Sequence, residues 1–247
     1  MSSLDLFSEK SDLYALARPT YPQELYNFLE SCVDKKNKVW DCATGNGQAA
    51  VALSEIFGEV QATDLSEQQI AHAVRKDNIH YSVQSAEHTN FQDNYFDLIT
   101  VAQAIHWFDY EKFWPEVKRV LKPGGVFAAW GYDWCRIRAD IDEVISDYIL
   151  KVIEPFWATQ NQLVWNGYKD IDFPFRKIPA PKIEMNQYWN LTQLLNYMST
   201  WSATRLCIKS IGPEFFEIAT DRIKSVWGDI EMVKEVKMDV HIYVGRN

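Results

Sequence analysis

The sequence predicts an α/β fold: a mostly parallel sheet with helices on both faces and an inserted helical cap. Between Lys38 and Trp130, short apolar runs alternate with helical stretches, the pattern of right-handed β–α–β crossovers. After Trp130 that alternation stops, until Asp239-Val240-His241-Ile242-Tyr243-Val244 alternates in polarity like a strand that rejoins the sheet. With 247 residues, 47% of them hydrophobic, and no repeat or flexible linker, one domain with an insertion is the economical reading.

The elements follow in order. Two prolines, Pro19 and Pro22, break any helix through the first segment, and Gln23 to Val33 carries Leu25, Phe28, Leu29 and Cys32 at helical spacing. Strand one is Val39 to Cys42, with a helix from about Gly47 to Phe57. Strand two is Val60 to Thr63, ending at Asp64, and Ser66 is placed to cap the helix after it. Strand three runs from Ile79 to Val83 and strand four from Phe96 to Ala102. A helix from about Tyr110 to Leu121 stops at Lys122-Pro123-Gly124-Gly125, a turn by composition, before strand five, Val126 to Trp130. Beyond it, helices are expected over 140–153, 191–208 and 215–226, a strand over 183–189, and irregular chain over 165–181.

The chemistry concentrates where strand one ends. Asp41-Cys42-Ala43-Thr44-Gly45-Asn46-Gly47-Gln48 is an acid followed by a glycine turn that enters a helix. Glycines there let the backbone approach a ligand, and the helix aims unpaired N–H groups at it. The spacing Gly45-x-Gly47-x-x-Ala50 fits a dinucleotide fingerprint, and Asp64 ends the next strand at the ~20-residue offset of a ribose-binding acid. Glu87 and Gln103 end the following two strands. An acid beside the turn would repel a pyrophosphate but favour a sulfonium and an ammonium, so Asp41 tips the choice from NAD to S-adenosylmethionine. Taken alone, Asp41 reads equally as a cap on the turn.

Composition excludes several classes. A net charge of −9 does not provide the basic surface of a broad nucleic-acid footprint. Cys32, Cys42, Cys135 and Cys207 are scattered without metal spacing and read as reduced thiols, so no metal is expected. Met1-Ser2-Ser3-Leu4-Asp5 lacks the basic region of a signal peptide, and no apolar run reaches the ~20 residues of a membrane span. A soluble, cytoplasmic protein is expected, monomeric or weakly homodimeric.

Asp41-x-Ala43-x-Gly45-x-Gly47, Asp64, Ala86-Glu87 and Leu121-Lys122-Pro123-Gly124-Gly125 resemble the class I S-adenosylmethionine-dependent methyltransferases of the small-molecule type 11 group. Three further segments resemble the trans-aconitate methyltransferase-like subgroup: Tyr14-x-x-x-Arg18-Pro19-x-Tyr21-Pro22, Gln103-Ala104-Ile105-His106-Trp107-Phe108 and Thr200-Trp201-Ser202. The match spans nearly the whole chain. One departure is Ala43, which stands where the family has its first motif glycine. The resemblance implies a Rossmann-like, seven-stranded, mostly parallel sheet with an antiparallel last strand. It divides the domain into an arm and helix (1–36), a cofactor-binding core (37–134), a cap with a late strand (135–235) and a final strand (236–247). By the same resemblance Gly45 and its neighbours meet the methionine part, Asp64 the ribose, Leu65 the adenine face, and Ala86 and Glu87 its polar edge. Gln103 lies by the methionine amine, while Tyr14 and Arg18 fold over the site, with Arg18 a partner for the methionine carboxylate. A purely structural arm is the alternative for those two.

Methyl transfer from a sulfonium needs an acceptor placed in line and water kept out. A carboxylate acceptor needs no base, whereas an alcohol or phenol does. O-methylation of a small carboxylic acid is the leading expectation. His106 stands open as base, hydrogen-bond donor or packed core histidine, and no catalytic residue is named beyond it. The expected acceptor pocket is formed by His106, Trp107, Tyr132, Trp134, Trp189, Tyr197 and Trp201. Arg205 shares a helix face with Trp201, although a solvated surface arginine is the plainer reading. No Asn/Asp-Pro-Pro-aromatic motif follows strand four, and no paired-glutamate loop is present. The rivals are an NAD-dependent oxidoreductase and a cofactor-binding protein without transferase activity.

Overall fold

The computed structural model describes residues 18–247. Helix α1 (Gln23–Cys32) starts just past Pro22 and buries Leu25, Tyr26, Leu29 and Cys32, one stripe at helical period. The alternation β1 (Lys38–Cys42), α2 (Gln48–Leu53), β2 (Glu59–Asp64), α3 (Glu67–Ala71), β3 (Ile79–Val83) and β4 (Phe96–Ala102) follows. A 3-10 turn (Ile105–Trp107), α4 (Tyr110–Val120) and β5 (Leu121–Tyr132) complete the first half. The sheet runs β3-β2-β1-β4-β5-β8-β6, with β7 also paired to β8. β1 to β5 are parallel, and β8 (Lys234–Arg246) is antiparallel to β5. Strand order reverses between β1 and β4, which is where a crevice opens at the carboxyl ends of the strands.

The Lys-Pro-Gly-Gly stretch lies inside the bounds of β5. Phe96 pairs Leu121 and then Leu98 pairs Val126, so the intervening residues bulge out of the ladder. Lys122 ties this bulge back to Asp97 at 2.6 Å.

The second half differs from expectation in four places. Among the described residues the sheet has eight strands, because Arg176–Ile178 in the stretch expected to be irregular forms β6; β7 spans Ile183–Trp189 as expected. Both pair with the same edge of β8, β6 at Val244–Arg246 and β7 at Lys234–Val240. β8 is itself longer than the 239–244 expected. Its first half hides a period-two pattern among charges: Val236, Met238 and Val240 are buried, and Glu235, Lys237 and Asp239 are not.

The helix expected over 140–153 is α5 (Ala139–Ile145), a π-helical stretch (Ser146–Leu150) and α6 (Lys151–Ile153). Ile141, Ile145, Ile149 and Ile153 are all buried at a strict spacing of four. In an unbroken α-helix that stripe drifts by ~40° per step, and the wider π turn takes up the drift. After α7 (Asn161–Trp165), the helix expected over 191–208 splits into α8 (Leu191–Ser199) and α9 (Ser202–Ile211). The Thr200 hydroxyl turns back to Tyr197 O at 2.6 Å, and Trp201 adopts an extended backbone. Helix α10 (Glu214–Trp227) then leads to β8. Two apolar cores sandwich the sheet, one under α1 and the cap, the other under α4 and the 163–175 segment.

Among the described residues no helix is long and apolar enough to cross a membrane, and no group of His, Cys, Asp and Glu is arranged to hold a metal.

Candidate functional site

The turn after β1 has left-handed backbone at Ala43, Gly45 and Gly47, with φ of 55°, 58° and 84°. It is held from beneath by Asp41. That side chain is fully buried, accepts from the Thr44 hydroxyl at 2.5 Å and the Thr100 hydroxyl at 2.9 Å, and has its pKa raised to about 6 by burial. Asp41 therefore braces the turn and forms no part of the cavity wall. Gly47 is also absent from the wall. It begins α2, and the Tyr81 hydroxyl occupies the space where a Cβ would stand.

A cavity of about 240 Å³ follows the carboxyl ends of β1 to β4. Among the expected cofactor residues, Arg18, Ala43, Gly45, Asp64, Leu65, Ala86, Glu87 and Gln103 line it, whereas Tyr14 lies outside the described residues. Gly45 N–H donates to Asp64 Oδ2 and Ser66 N–H to Asp64 Oδ1, both at 2.8 Å. Burial nevertheless raises the Asp64 pKa. Tyr21, Gln48, Ser66, Gln69, Gln84 and Phe108 also join the wall, none of them expected from the sequence as a cofactor residue. Gln48 had the clearest signal, being the first residue after the glycine turn. Its amide donates to Pro19 O at 3.0 Å and straps the arm to α2.

A second pocket of about 100 Å³ adjoins the first, and the two share Arg18, Gln103, Trp107 and Tyr132. Arg18 Nη1 donates to the Tyr132 hydroxyl at 3.0 Å, and the guanidinium lies 5.9 Å from the Tyr197 ring centroid. His106, Trp134, Tyr197 and Trp201 complete the expected set here. Trp189 does not belong to it. It is buried behind Tyr197, the rings 5.0 Å apart, because β7 turns its side chain into the core under the cap. Trp157, Trp165 and Arg205 belong to the pocket instead. Arg205 is thus not the solvated surface residue it resembled. The two indoles sit in a stretch with no motif, and only folding brings them to Trp134.

His106 is 6% exposed, and burial pushes its pKa down to about 3, so the ring is neutral near pH 7. Its Nδ1 is enclosed with no hydrogen-bond partner. A bare nitrogen is cheaper there than an orphaned N–H, which places the proton on Nε2 as the ring's donor. Asp133, the carboxylate on this pocket, is engaged by its own neighbours. It accepts from Asp239 N–H at 3.3 Å and lies 3.4 Å from His241 Nε2 and 4.0 Å from Arg136.

The donor set of the first cavity fits S-adenosylmethionine better than a dinucleotide. Each Asp64 oxygen takes one backbone N–H and keeps a lone pair for a ribose hydroxyl. A Cβ on Gly45 would meet nothing within 4 Å, so the open cavity reaches the backbone itself. Two carboxylates close to the turn oppose a pyrophosphate.

Known proteins agree. Residues 40–129 match the family described as "Methyltransferase domain". A protein of Dictyostelium discoideum named as a methyltransferase is 30% identical over 250 residues, 98% of this chain and 95% of the relative. A methyltransferase of Mycobacterium tuberculosis is 30% identical over 175 residues, 66% of this chain and 70% of the relative. Among solved structures, one described as a type II methyltransferase from Anaeromyxobacter dehalogenans superposes with a TM-score of 0.86 at 33% identity, covering 93% of this chain and 97% of that one. The chain belongs to the class I S-adenosylmethionine-dependent methyltransferases, and S-adenosylmethionine is its cofactor.

Proposed function

We propose that this methyltransferase acts on a small carboxylic acid held in the second pocket, giving a methyl ester. The observation that carries the reading is the shared wall of Arg18, Gln103, Trp107 and Tyr132, which sets the second pocket directly against the cofactor cavity. When bound, S-adenosylmethionine supplies a methyl carbon on a sulfonium sulfur, which keeps the C–S bonding pair as a carboxylate oxygen bonds to that carbon, so no proton moves.

On this reading Asp64 holds the ribose hydroxyls, Leu65 covers the adenine face, and Ala86 and Glu87 meet its polar edge. Ala43 and Gly45 leave room for the methionine part, Gln103 accepts from its ammonium, and Arg18 faces its carboxylate. Asp41 and Gly47 act through the shape of the turn. In the second pocket Trp107, Tyr132, Trp134, Tyr197 and Trp201 exclude water and fix the acceptor, which is the main work such a transfer asks of a protein.

His106 fits as a neutral donor to the acceptor carboxylate. With a pKa near 3 it is a poor base at neutral pH, and Asp133 is engaged by its neighbours. A site without a poised base suits an acceptor that arrives ionised. The pocket's size and the net charge of −9 favour a small molecule over nucleic acid.

The test is methyl-labelled S-adenosylmethionine with matched acids, phenols and amines. Base-labile methyl esters are expected from the acids. Label passing to phenols or amines but to no acid would overturn the carboxylate assignment.

A further inference from the structure

The second pocket is built on a corner of indoles. Trp134 lies 5.2 Å from Trp165 at an interplanar angle of 31°, a tilted, partly stacked pair that forms the first wall. Trp157 meets Trp165 at 90° and Trp134 at 72°, making a second wall that stands upright on the first. Trp201 closes the back, 5.5 Å from Trp134. These indoles are unlike those of the core. Trp40 and Trp130 are 0% exposed and Trp227 is 2% exposed, whereas Trp134, Trp157 and Trp165 are only half-buried. Trp107, on the same pocket, is half-buried too, and four such indoles leave aromatic surface for something to cover.

The size of the pocket and its chemistry limit what that is. At about 100 Å³ it is on the scale of the ~150 Å³ engineered cavity that accepts benzene, a volume that suits one six-membered ring better than two fused ones. Aromatic pairs favour offset-stacked and edge-to-face contacts. Two upright indole walls offer both to one flat ring at the same time, an advantage a saturated ring of equal size does not share. Of the pocket's polar groups, Arg18 and Gln103 are on the wall shared with the cofactor cavity, whereas His106, Asp133, Asn161, Thr200, Ser202 and Arg205 are not. In-line transfer requires a ring in the corner to turn its carboxylate toward the methyl donor's side.

We infer that the acceptor is a single-ring arene carboxylic acid, its ring seated against Trp134, Trp157 and Trp165 and its carboxylate turned toward the wall shared with the cofactor cavity. This rests on the carboxylic acid reading above and narrows it.

The probes are benzoate, cyclohexanecarboxylate, a straight-chain acid and 2-naphthoate, assayed for ester formation and for quenching of tryptophan fluorescence. Benzoate is expected to exceed cyclohexanecarboxylate in kcat/KM by about tenfold, from two added aromatic contacts, and 2-naphthoate to be excluded. Trp157→Ala should remove the benzoate preference and admit 2-naphthoate, and Trp157→Phe should restore most of it. Calorimetric affinity for S-adenosylmethionine, unchanged in both variants, shows that they fold. Esters formed equally well from the saturated or straight-chain acids would overturn the ring assignment and leave the carboxylate reading standing. Methylation of phenols with no ester from any acid would overturn both.

Discussion

The side-chain amide of Gln103 is bonded in both senses to the main chain of Tyr132. Its Nε2 donates to Tyr132 O at 3.3 Å, and its Oε1 accepts Tyr132 N–H at 3.2 Å. The parallel ladder of β4 and β5 ends at Ala102 and Trp130. Gln103 N–H still donates to Trp130 O at 2.8 Å; the backbone then turns to a φ of 55°, and the side chain carries the pairing on to Tyr132. That side chain stands between the two cavities, so the same pair of bonds that finishes the sheet also builds the wall between cofactor and acceptor.

Gln103→Leu should therefore cost more than a surface change. Two hydrogen bonds of ~1 kcal/mol each are lost and two main-chain groups of Tyr132 go unpaired, for about 2–4 kcal/mol in all. Methyl transfer should fall with it. Gly131→Ala attacks the same wall, since a Cβ there would lie 2.4 Å from Gln103 Oε1 and 2.3 Å from the Tyr168 hydroxyl. Urea unfolding reads both, and a loss under about 0.5 kcal/mol for either would contradict this account.

Ala43 tests the turn. A non-glycine residue in the left-handed region carries ~1–2 kcal/mol of strain, against the ~0.5–1 kcal/mol of chain entropy that glycine costs. Ala43→Gly should hold or raise stability by up to about 1 kcal/mol, where Ala50→Gly inside α2 should lose about that much. Thermal melts of the two variants make the comparison.

Asp64 tests the cofactor assignment. Hydrogen bonds to a charged group are worth ~1.5–3 kcal/mol each, so losing two with Asp64→Ala should weaken S-adenosylmethionine binding by a hundredfold or more, on the order of ~3 kcal/mol. Asp64→Asn keeps one acceptor and should fall between. Calorimetry that finds parental affinity in Asp64→Ala would remove the residue from the site.

Acid should act on His106 and Asp41 in opposite directions. The unfolded chain protonates a histidine near 6.5, and the folded one only near 3. Stability from His106 is thus complete above about pH 6.5 and falls by ~1.4 kcal/mol per pH unit below it. Asp41 protonates near 6 when folded and near 3.8 when unfolded, so the cost of burying its charge is relieved as pH drops through that interval. Between about pH 7.5 and 5, His106→Gln should lose less stability than the parent and Asp41→Asn more. An identical pH response in all three proteins would refute both accounts.

Much of the cofactor half was legible in the residues. Glycine spacing, acids at strand ends and period-two apolar runs are short-range signals, and the parallel ladder places those strand ends side by side. Even there, the sequence did not tell a residue in the wall from one behind it, as with Asp41 and Gly47. Burial is set by what packs above, here Thr44, Thr100 and Tyr81.

The sequence by itself determined the parallel core, as an alternation of strands and helices, and the turn that selects S-adenosylmethionine, because these follow from local backbone preference and side-chain period. Tertiary structure decided the final lining of the second pocket, dropping Trp189 from the expected set and adding Trp157, Trp165 and Arg205. Its walls come from segments far apart in the chain, at Arg18, His106, Trp134, Trp157, Trp165 and Trp201. Whether a tryptophan joins the pocket or the core depends on its direction. The break at Thr200 sets that direction for Trp201, and the β7–β8 pairing sets it for Trp189. The first is a local bond, three residues back, whereas the second joins segments far apart in the chain, which no window of neighbouring residues records.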